Sequence, residues 1–399
     1  MKLFIEVITY TLAIVLLIPS LVLFVECTIA ILLPAPLIDK IETTPAAKIG
    51  VLVPAHNEAL VIATTLASLI NQVSSPESIV VIADNCTDET AAIAAQFGVK
   101  VIERIEPEQR GKGYALDFGL RYLALNPPDV VVIIDADCQV TEGSIEQLVS
   151  MALKEQKPIQ ATYVMEKPAV SQPKDIVSAL AFIVKNQVRT TGLAGMGLPC
   201  LLAGTGMAFP WFVINKVQWA SGNLVEDMQL GIDLALAGYA PRFCRSAKVI
   251  GILPQQQKAA TTQRTRWEHG HVQTLLTQVP QLGMAALAQR RFELLALALE
   301  IGVPPLSLLV MLWGLGLIIA IGAGLFLGIW LPLGILSLAG LMIFTAILGG
   351  WFKFASKELP GTALLGIPGY LLWKIPLYVA LLLKPEKKWV KTERESLNS

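Results

Sequence analysis

Val130-Val131-Val132-Ile133-Ile134-Asp135-Ala136-Asp137-Cys138 is the stretch on which the reading of the fold turns. Five consecutive β-branched residues predict a strand buried on both faces, as in a parallel sheet covered by helices. Such a strand delivers whatever follows it to the crevice at the carboxyl end of the sheet, where open α/β folds bind ligands. Here two carboxylates follow, one residue apart, and both are hard oxygen donors suited to one divalent cation and its phosphate ligands. A solvated turn is the plainer alternative.

Upstream, strands are predicted at 48–54, 78–83 and 99–105, with helices at 59–72, 91–97 and 114–125. Strands separated by helical patterns of this length mean right-handed βαβ units and a mainly parallel sheet, hence an α/β class. Downstream, a helix at 141–155, a strand at 158–164 and a helix at 175–190 lead into 192–214, a segment without charge. Its glycines, Pro199 and Pro210 make a poor helix, so it reads as a buried loop and strand beneath the crevice rather than a membrane span. Glu226-Asp227 opens a helix at 228–237 that stops at Gly238, and 242–253 is the last predicted strand. A basic excess follows at 258–291 and contains Gln263-Arg264-Thr265-Arg266-Trp267-Glu268-His269-Gly270-His271.

Of the 399 residues 54% are apolar and 16% charged, and the apolar surplus sits at the two ends of the chain. The run 3–33 is interrupted only by Glu6, Pro19 and Glu26. That is enough for one membrane-spanning helix of about 20 residues and too long for a signal-peptide core of about 7–15. The stretch 301–351 has no charge and holds two spans with a turn near 328–332. The last apolar piece, 364–383, is interrupted by Pro368, Lys374 and Pro376 and runs into a basic tail. With the α/β domain cytoplasmic, a third C-terminal span would put that tail outside, so the positive-inside tendency favours an interfacial or re-entrant segment. The expected organisation is a membrane anchor at 1–34, a linker at 35–47, an α/β domain at 48–291, two transmembrane helices at 292–352, and an interfacial segment with a basic tail at 353–399. This is a multi-pass protein of the cytoplasmic (inner) membrane with its α/β domain on the cytoplasmic face. A net charge of zero argues against nucleic acid as a partner, since broad phosphate neutralisation needs a cationic surface. The five cysteines are scattered without metal-ligand spacing, which fits free thiols in a reducing compartment.

Taken in order, Val-Pro-Ala-His-Asn-Glu at 53–58, Ala-Asp-Asn-Cys-Thr-Asp at 83–88, Arg-Gly-Lys-Gly at 110–113, Asp-Ala-Asp at 135–137, Glu-Asp at 226–227 and Gln-Arg-Thr-Arg-Trp at 263–267 resemble the glycosyltransferase family 2 pattern. They are most similar to its membrane-embedded branch of cellulose, hyaluronan and poly-N-acetylglucosamine synthases. The resemblance covers about 48–271 and implies a GT-A fold, a Rossmann-like mixed sheet that binds a nucleotide sugar. It further implies a role for each motif. Asp135 and Asp137 would hold Mg²⁺ or Mn²⁺ at the donor diphosphate. Asp84, with Asn85, would recognise the base, a uracil, beside Pro54, His56 and Glu58. Lys112 would contact the nucleotide or diphosphate, Gln263 and Arg266 the diphosphate, and Trp267 would stack on the acceptor sugar. Asp227, next to Glu226, would be the general base that takes the acceptor proton. His271, in a His-x-His pair with His269, is a further candidate metal ligand. Each motif also has a plainer reading: a turn at 110–113, helix capping at 226–227, and a basic lipid-facing surface at 263–267. Where the processive synthases carry an aromatic and cysteine-containing segment at the acceptor end, this chain has Pro199-Cys200-Leu201-Leu202-Ala203-Gly204-Thr205-Gly206.

The expectation is therefore an inverting, metal-dependent membrane glycosyltransferase. It would move a sugar from a UDP donor onto a growing polysaccharide in bacterial exopolysaccharide or cell-envelope glycan synthesis. About three spans hardly enclose a polymer channel, so a homo-oligomer or partner subunit would complete the path. The alternative is transfer of one sugar to a lipid or polyprenyl-phosphate acceptor. A non-catalytic membrane scaffold is the remote reading, disfavoured because every expected acidic position is filled.

Overall fold

The computed structural model describes residues 2–35, 47–167, 172–220, 225–253 and 257–383. Most of the linker expected at 35–47 and the basic tail after 383 lie outside the described residues. The chain starts with helix α1 (Lys2–Leu32) and then alternates β1 (Ile49–Ala55), α2 (Ile62–Ile70), β2 (Ile79–Asp84), α3 (Thr90–Ala95), β3 (Lys100–Arg104), α4 (Lys112–Leu123) and β4 (Val130–Ile133). A two-residue strand β5 (Gln139–Val140), α5 (Ser144–Glu155) and β6 (Ile159–Glu166) follow. Next come α6 (Pro173–Ile183), a π-helical turn at Val184–Arg189 and α7 (Thr190–Gly195), then β7 (Met207–Pro210), α8 (Glu226–Leu236) and β8 (Arg242–Ile252). Five helices close the described chain: α9 (Gln257–Gln289), α10 (Phe292–Gly302), α11 (Leu306–Leu327), α12 (Leu331–Gly350) and α13 (Ile367–Leu383).

Two compact units result, one built on the sheet and one helical. In the first, eight strands run in the order β3-β2-β1-β4-β7-β6-β8-β5. The pairs β3-β2, β2-β1 and β1-β4 are parallel, whereas β7 pairs antiparallel with both β4 and β6. Residues 130–134 are fully buried, as five β-branched side chains in a central strand require. Leu52, Ile82, Ile133 and Phe209 pack with Leu116, Leu120 and Leu123 of α4 in one cluster. Each such side chain contributes about 1.5–3 kcal/mol on burial. Gly119 lets α4 lie close on the sheet, since a Cβ there would collide with Ile82. The helices start where capping permits: Asp88 accepts from the Thr90 N–H at 3.1 Å at the head of α3, and Gly238, at φ +98°, follows the end of α8.

The helical unit comprises α1, the described part of Ser171–Gly197, and Glu268 onward. The sequence expectation of a helix at 175–190 is met by a longer one with the π-helical turn in it, and α10 is an element the sequence did not announce. Helices α1 and α11, with the segments Leu331–Ala355 and Leu364–Leu381, are long and apolar enough to cross a membrane by length and composition. Helix α13 is continuous through Pro376. Lys374 within it is fully buried and its Nζ is paired with Glu268 Oε1. A second buried pair joins Arg189 Nε of the π-helical turn to Glu26 Oε2 of α1 at 2.5 Å, and Arg189 Nη2 donates to the Glu300 carbonyl at 2.9 Å. Glycines set the helix spacing here, as at Gly316 against Leu16 and Gly340 against Trp313.

Candidate active site

Strands β1, β2 and β4 are parallel neighbours, so their carboxyl ends open on one edge of the sheet. The chain runs β1-β2-β3 to one side and returns to place β4 on the other side of β1, which makes this the switch point of the topology. Asp84 ends β2 and is 7% exposed. Its Oδ1 accepts from Arg104 Nη1 at 2.6 Å and from Asn85 Nδ2 at 3.0 Å. Arg104, in register with Asp84 at the end of β3, also donates from Nη2 to the Gln109 carbonyl at 2.8 Å and lies over the Tyr114 ring. His56 Nδ1 donates to the Asp84 carbonyl at 2.6 Å, and Pro54 sits in β1 opposite Ile82. The Glu58 N–H donates to Thr90 Oγ1 at 2.8 Å, tying the loop after β1 to α3. Asn57 and Asn85 take left-handed backbone at φ +55° and +51°, where asparagine is tolerated better than most residues. Thus Pro54, His56, Glu58, Asp84 and Asn85 lie at or just beyond the carboxyl ends of β1 and β2.

Asp135 follows β4, and its N–H donates to Thr205 Oγ1 at 3.0 Å. Lys112, the first residue of α4, pairs through Nζ with Asp135 Oδ1 and donates to the Gly204 carbonyl at 2.8 Å. Gly204 has φ +87°, and a Cβ there would stand 3.4 Å from Asp227 Oδ2 and 3.6 Å from Lys112 Nζ. The loop 204–206 therefore ties Lys112, Asp135 and Asp227 together. Burial works against the Lys112 ammonium, but Asp135, Glu226 and Asp227 outweigh it and raise its pKa. Burial raises the Asp135 carboxyl and Asp137 adds to it, against the pull of Lys112. Burial, then the charge of Asp227, pushes Glu226 up to about 7, while Lys112 and Arg266 oppose the shift. Arg266 thus acts on Glu226, and its buried Nε has no hydrogen-bond partner among the described residues.

Ligand atoms of Asp135, Asp137 and Cys138 lie within 4.8 Å of one another. The two carboxylates suit a hard divalent cation; the Cys138 thiol is fully buried and pushed up by burial, so it stays protonated. A cleft partly open to solvent is lined by Lys112, Gly204, Glu226 and Asp227 and extends along α8.

Gln263, Arg266 and Trp267 lie on α9, each partly buried, at the three- and four-residue spacing of one helix face. His271 is placed elsewhere. It belongs to the helical unit, is 4% exposed, and its Nε2 lies 3.2 Å from the Ile301 carbonyl. A carbonyl only accepts, so Nε2 carries a proton and is closed to a metal. His269 is similarly engaged, with Nε2 3.1 Å from the Leu377 carbonyl. Both histidines thus donate from Nε2 to helix carbonyls. Arg104, Gly204 and Thr205 are site residues that motif spacing missed. The uncharged Gly-Thr-Gly at 204–206 was the one available signal, whereas Arg104 becomes visible only when β3 is paired with β2.

A family model for glycosyltransferase like family 2 matches residues 45–270. The chain is 28% identical over 246 residues to the probable glycosyltransferase YdaM of Bacillus subtilis (strain 168), covering 59% of this chain and 57% of that protein. It is 28% identical over 208 residues to a 4,4'-diaponeurosporenoate glycosyltransferase of Staphylococcus haemolyticus, covering 48% of this chain and 52% of that one. The chain thus spans about half the length of the curated relatives it matches. Among solved structures, the mannosyltransferase PcManGT of Pyrobaculum calidifontis, in complex with GDP-Man and Mn²⁺, aligns at a TM-score of 0.57 and 18% identity over 96% of this chain and all of that one. That likeness shows the fold, a GT-A sheet accompanied by apolar helices.

Proposed function

The chain belongs to glycosyltransferase like family 2, and on that footing we propose that it is an inverting, metal-dependent transferase that moves a sugar from a UDP donor onto a growing polysaccharide at the cytoplasmic face of a bacterial inner membrane. One observation carries the reading: Lys112, Glu226 and Asp227 converge on a single cleft, with Asp135 one ion pair away. Breaking the bond between a sugar and a nucleoside diphosphate leaves negative charge on the leaving group, and preorganised cations stabilise that charge. Lys112 and Arg266 supply them, and the Arg266 Nε, without a hydrogen-bond partner among the described residues, is a donor ready for a phosphate oxygen. Asp135 and Asp137 would hold Mg²⁺ or Mn²⁺, which when bound adds positive charge at the diphosphate.

At the base end, Asp84 Oδ1 is taken by Arg104 and Asn85. The remaining oxygen suits a single imino N–H, as in uracil, better than the paired N–H donors of guanine. Asp227, at the N-terminus of α8 and beside the cleft, takes the proton from the acceptor hydroxyl as it attacks the anomeric carbon. One displacement with one base inverts the configuration. Glu226, raised to about 7, keeps the second acid from competing for the same charge at lower pH.

A second reading, transfer of one sugar to a lipid or polyprenyl-phosphate acceptor, is favoured by the size of the helical unit, which has four helices able to cross a membrane among the described residues. Purified enzyme incubated with radiolabelled UDP-sugars and Mg²⁺ or Mn²⁺, followed by sizing of the product, separates the two. Long polymer is the expected result, and one organic-extractable sugar would support the lipid reading. Absence of metal-dependent UDP release with every donor would overturn both.

A further inference from the structure

The cleft extends past the residues that the transfer reaction uses. Glu226, Gln229, Leu230 and Asp233 all line it, at the i, i+3, i+4, i+7 spacing of one helix face. The same face of α8 therefore carries a catalytic acid, Glu226, at its first turn, with Gln229 one turn and Asp233 two turns later. Gln229 Nε2 donates to Asp233 Oδ1 at 2.8 Å. That bond sets the pair in place and uses neither the amide oxygen nor Oδ2, which remain as acceptors for hydroxyl groups. Leu116, Met207 and Trp219 give the cleft an apolar wall, with Gln218 beside them in the lining. Trp219 is rigid there: its Nε1 donates to the Ile214 carbonyl at 2.9 Å and its ring meets Phe209 edge-on at 5.1 Å.

An apolar wall beside two hydroxyl acceptors matches a pyranose ring, which has C–H faces and a hydroxyl edge. Resting on the transferase reading above, we propose that this end of the cleft is an acceptor-sugar subsite, in which Gln229 and Asp233 read the hydroxyls of the ring that carries the attacking oxygen or of the next one. Position assigns the ring to the acceptor. An inverting displacement needs the nucleophile on the side away from the leaving diphosphate, and Asp227 marks that side. At 1.5 Å per residue, Asp233 lies about 9 Å along α8 from Asp227, further than the transferred sugar alone spans. The subsite makes the acceptor a saccharide, whether free, polymeric or lipid-linked, rather than a bare lipid hydroxyl.

Saturation-transfer NMR on the full-length protein in detergent, with UDP present, tests this without turnover. The probes are the methyl glycosides of glucose, galactose, mannose and N-acetylglucosamine. At least one should bind, with saturation on its ring protons. Its affinity should fall at least tenfold in Gln229→Ala and in Asp233→Ala, and Asp233→Asn should retain part of it. The half-saturating UDP-sugar concentration in these variants should move less than twofold. No binding by any glycoside, or equal binding in all variants, overturns the subsite. A loss of UDP-sugar affinity that matches or exceeds the glycoside loss places the ring in the donor and overturns the acceptor assignment. Glycoside binding without UDP release from any UDP-sugar would sink the transferase reading and leave the sugar site standing; UDP release with unchanged glycoside binding would do the reverse.

Discussion

The helical unit and the cleft both hold ionised groups away from water, and they manage them in opposite ways. Arg189 and Glu26 have side chains only 6% and 3% exposed and close on each other, as fully buried Lys374 closes on Glu268. At the site, Asp135, Glu226 and Asp227 act together on Lys112, Arg266 acts on Glu226, and burial, then the charge of Asp227, holds Glu226 up to about 7. Closed pairs have nothing to offer a ligand, because each charge is already answered. An unbalanced set is a binding site for whatever restores the balance, and it lowers the stability of the fold that carries it. The contrast separates charges that hold helices together from charges kept for chemistry.

The largest expected effect tests the chemical side. Asp227→Asn should reduce transfer by about 10⁴-fold, the upper end for a general base, with nucleotide-sugar binding within twofold of wild type. Comparing turnover with donor titration checks it, and full transfer activity would remove Asp227 from its role. On the structural side, Arg189→Met strands Glu26 in the helical unit and should destabilise by about 3–5 kcal/mol. The double variant Glu26→Leu with Arg189→Met should recover most of that loss. Thermal unfolding in detergent reads both, and a single variant as stable as wild type would mean the pair is not closed.

Glu226 allows a test in which the sign matters. Its folded pKa, about 7, is above its ordinary value of 4.5, so the folded state holds the proton more tightly. The associated stability is fully present below 4.5 and is lost as pH rises through about 7. Glu226→Gln stays neutral and escapes that loss. Its Tm should exceed wild type at pH 8, and the gap should close by about pH 5, a small effect because the group is partly exposed. The smallest effect is expected at Gly204, where φ is +87°. Gly204→Ala should cost about 1 kcal/mol in stability and lower kcat several-fold by crowding Asp227 and Lys112. An unaffected kcat would mean that the 204–206 loop does not set the geometry of the acids.

Legibility in the sequence followed the strength of local pattern. The β-branched run at 130–134 and the short apolar strands at β1 and β2 were readable because buried parallel strands leave no polar face. The spans at α1, α11 and α12 were readable because length and apolar character alone define them. By contrast β5, two residues long, carries no pattern, and the π-helical turn at Val184–Arg189 looks like ordinary helix in sequence. The burial of Lys374 was hidden for the same reason. A charge in an apolar run counts against burial until its partner, Glu268, 106 positions away, is known. The partner of His271 was equally illegible, because a histidine near acids in sequence says nothing about which carbonyl its ring will meet.

By itself the order of the motifs determined the family, the α/β class, and which carboxylates serve as a pair at a strand end, since those depend on residue type and near spacing. Tertiary structure alone decided that Lys112 answers Asp135, that Arg104 orients Asp84, that Gly204 brings Asp227 beside both, and that Gln229 and Asp233 extend the cleft. Each is a meeting of segments that are distant in sequence or set by helix phase. Coulomb and hydrogen-bond energies act over a few ångströms, so their partners are chosen by how the chain packs and not by where the residues stand along it.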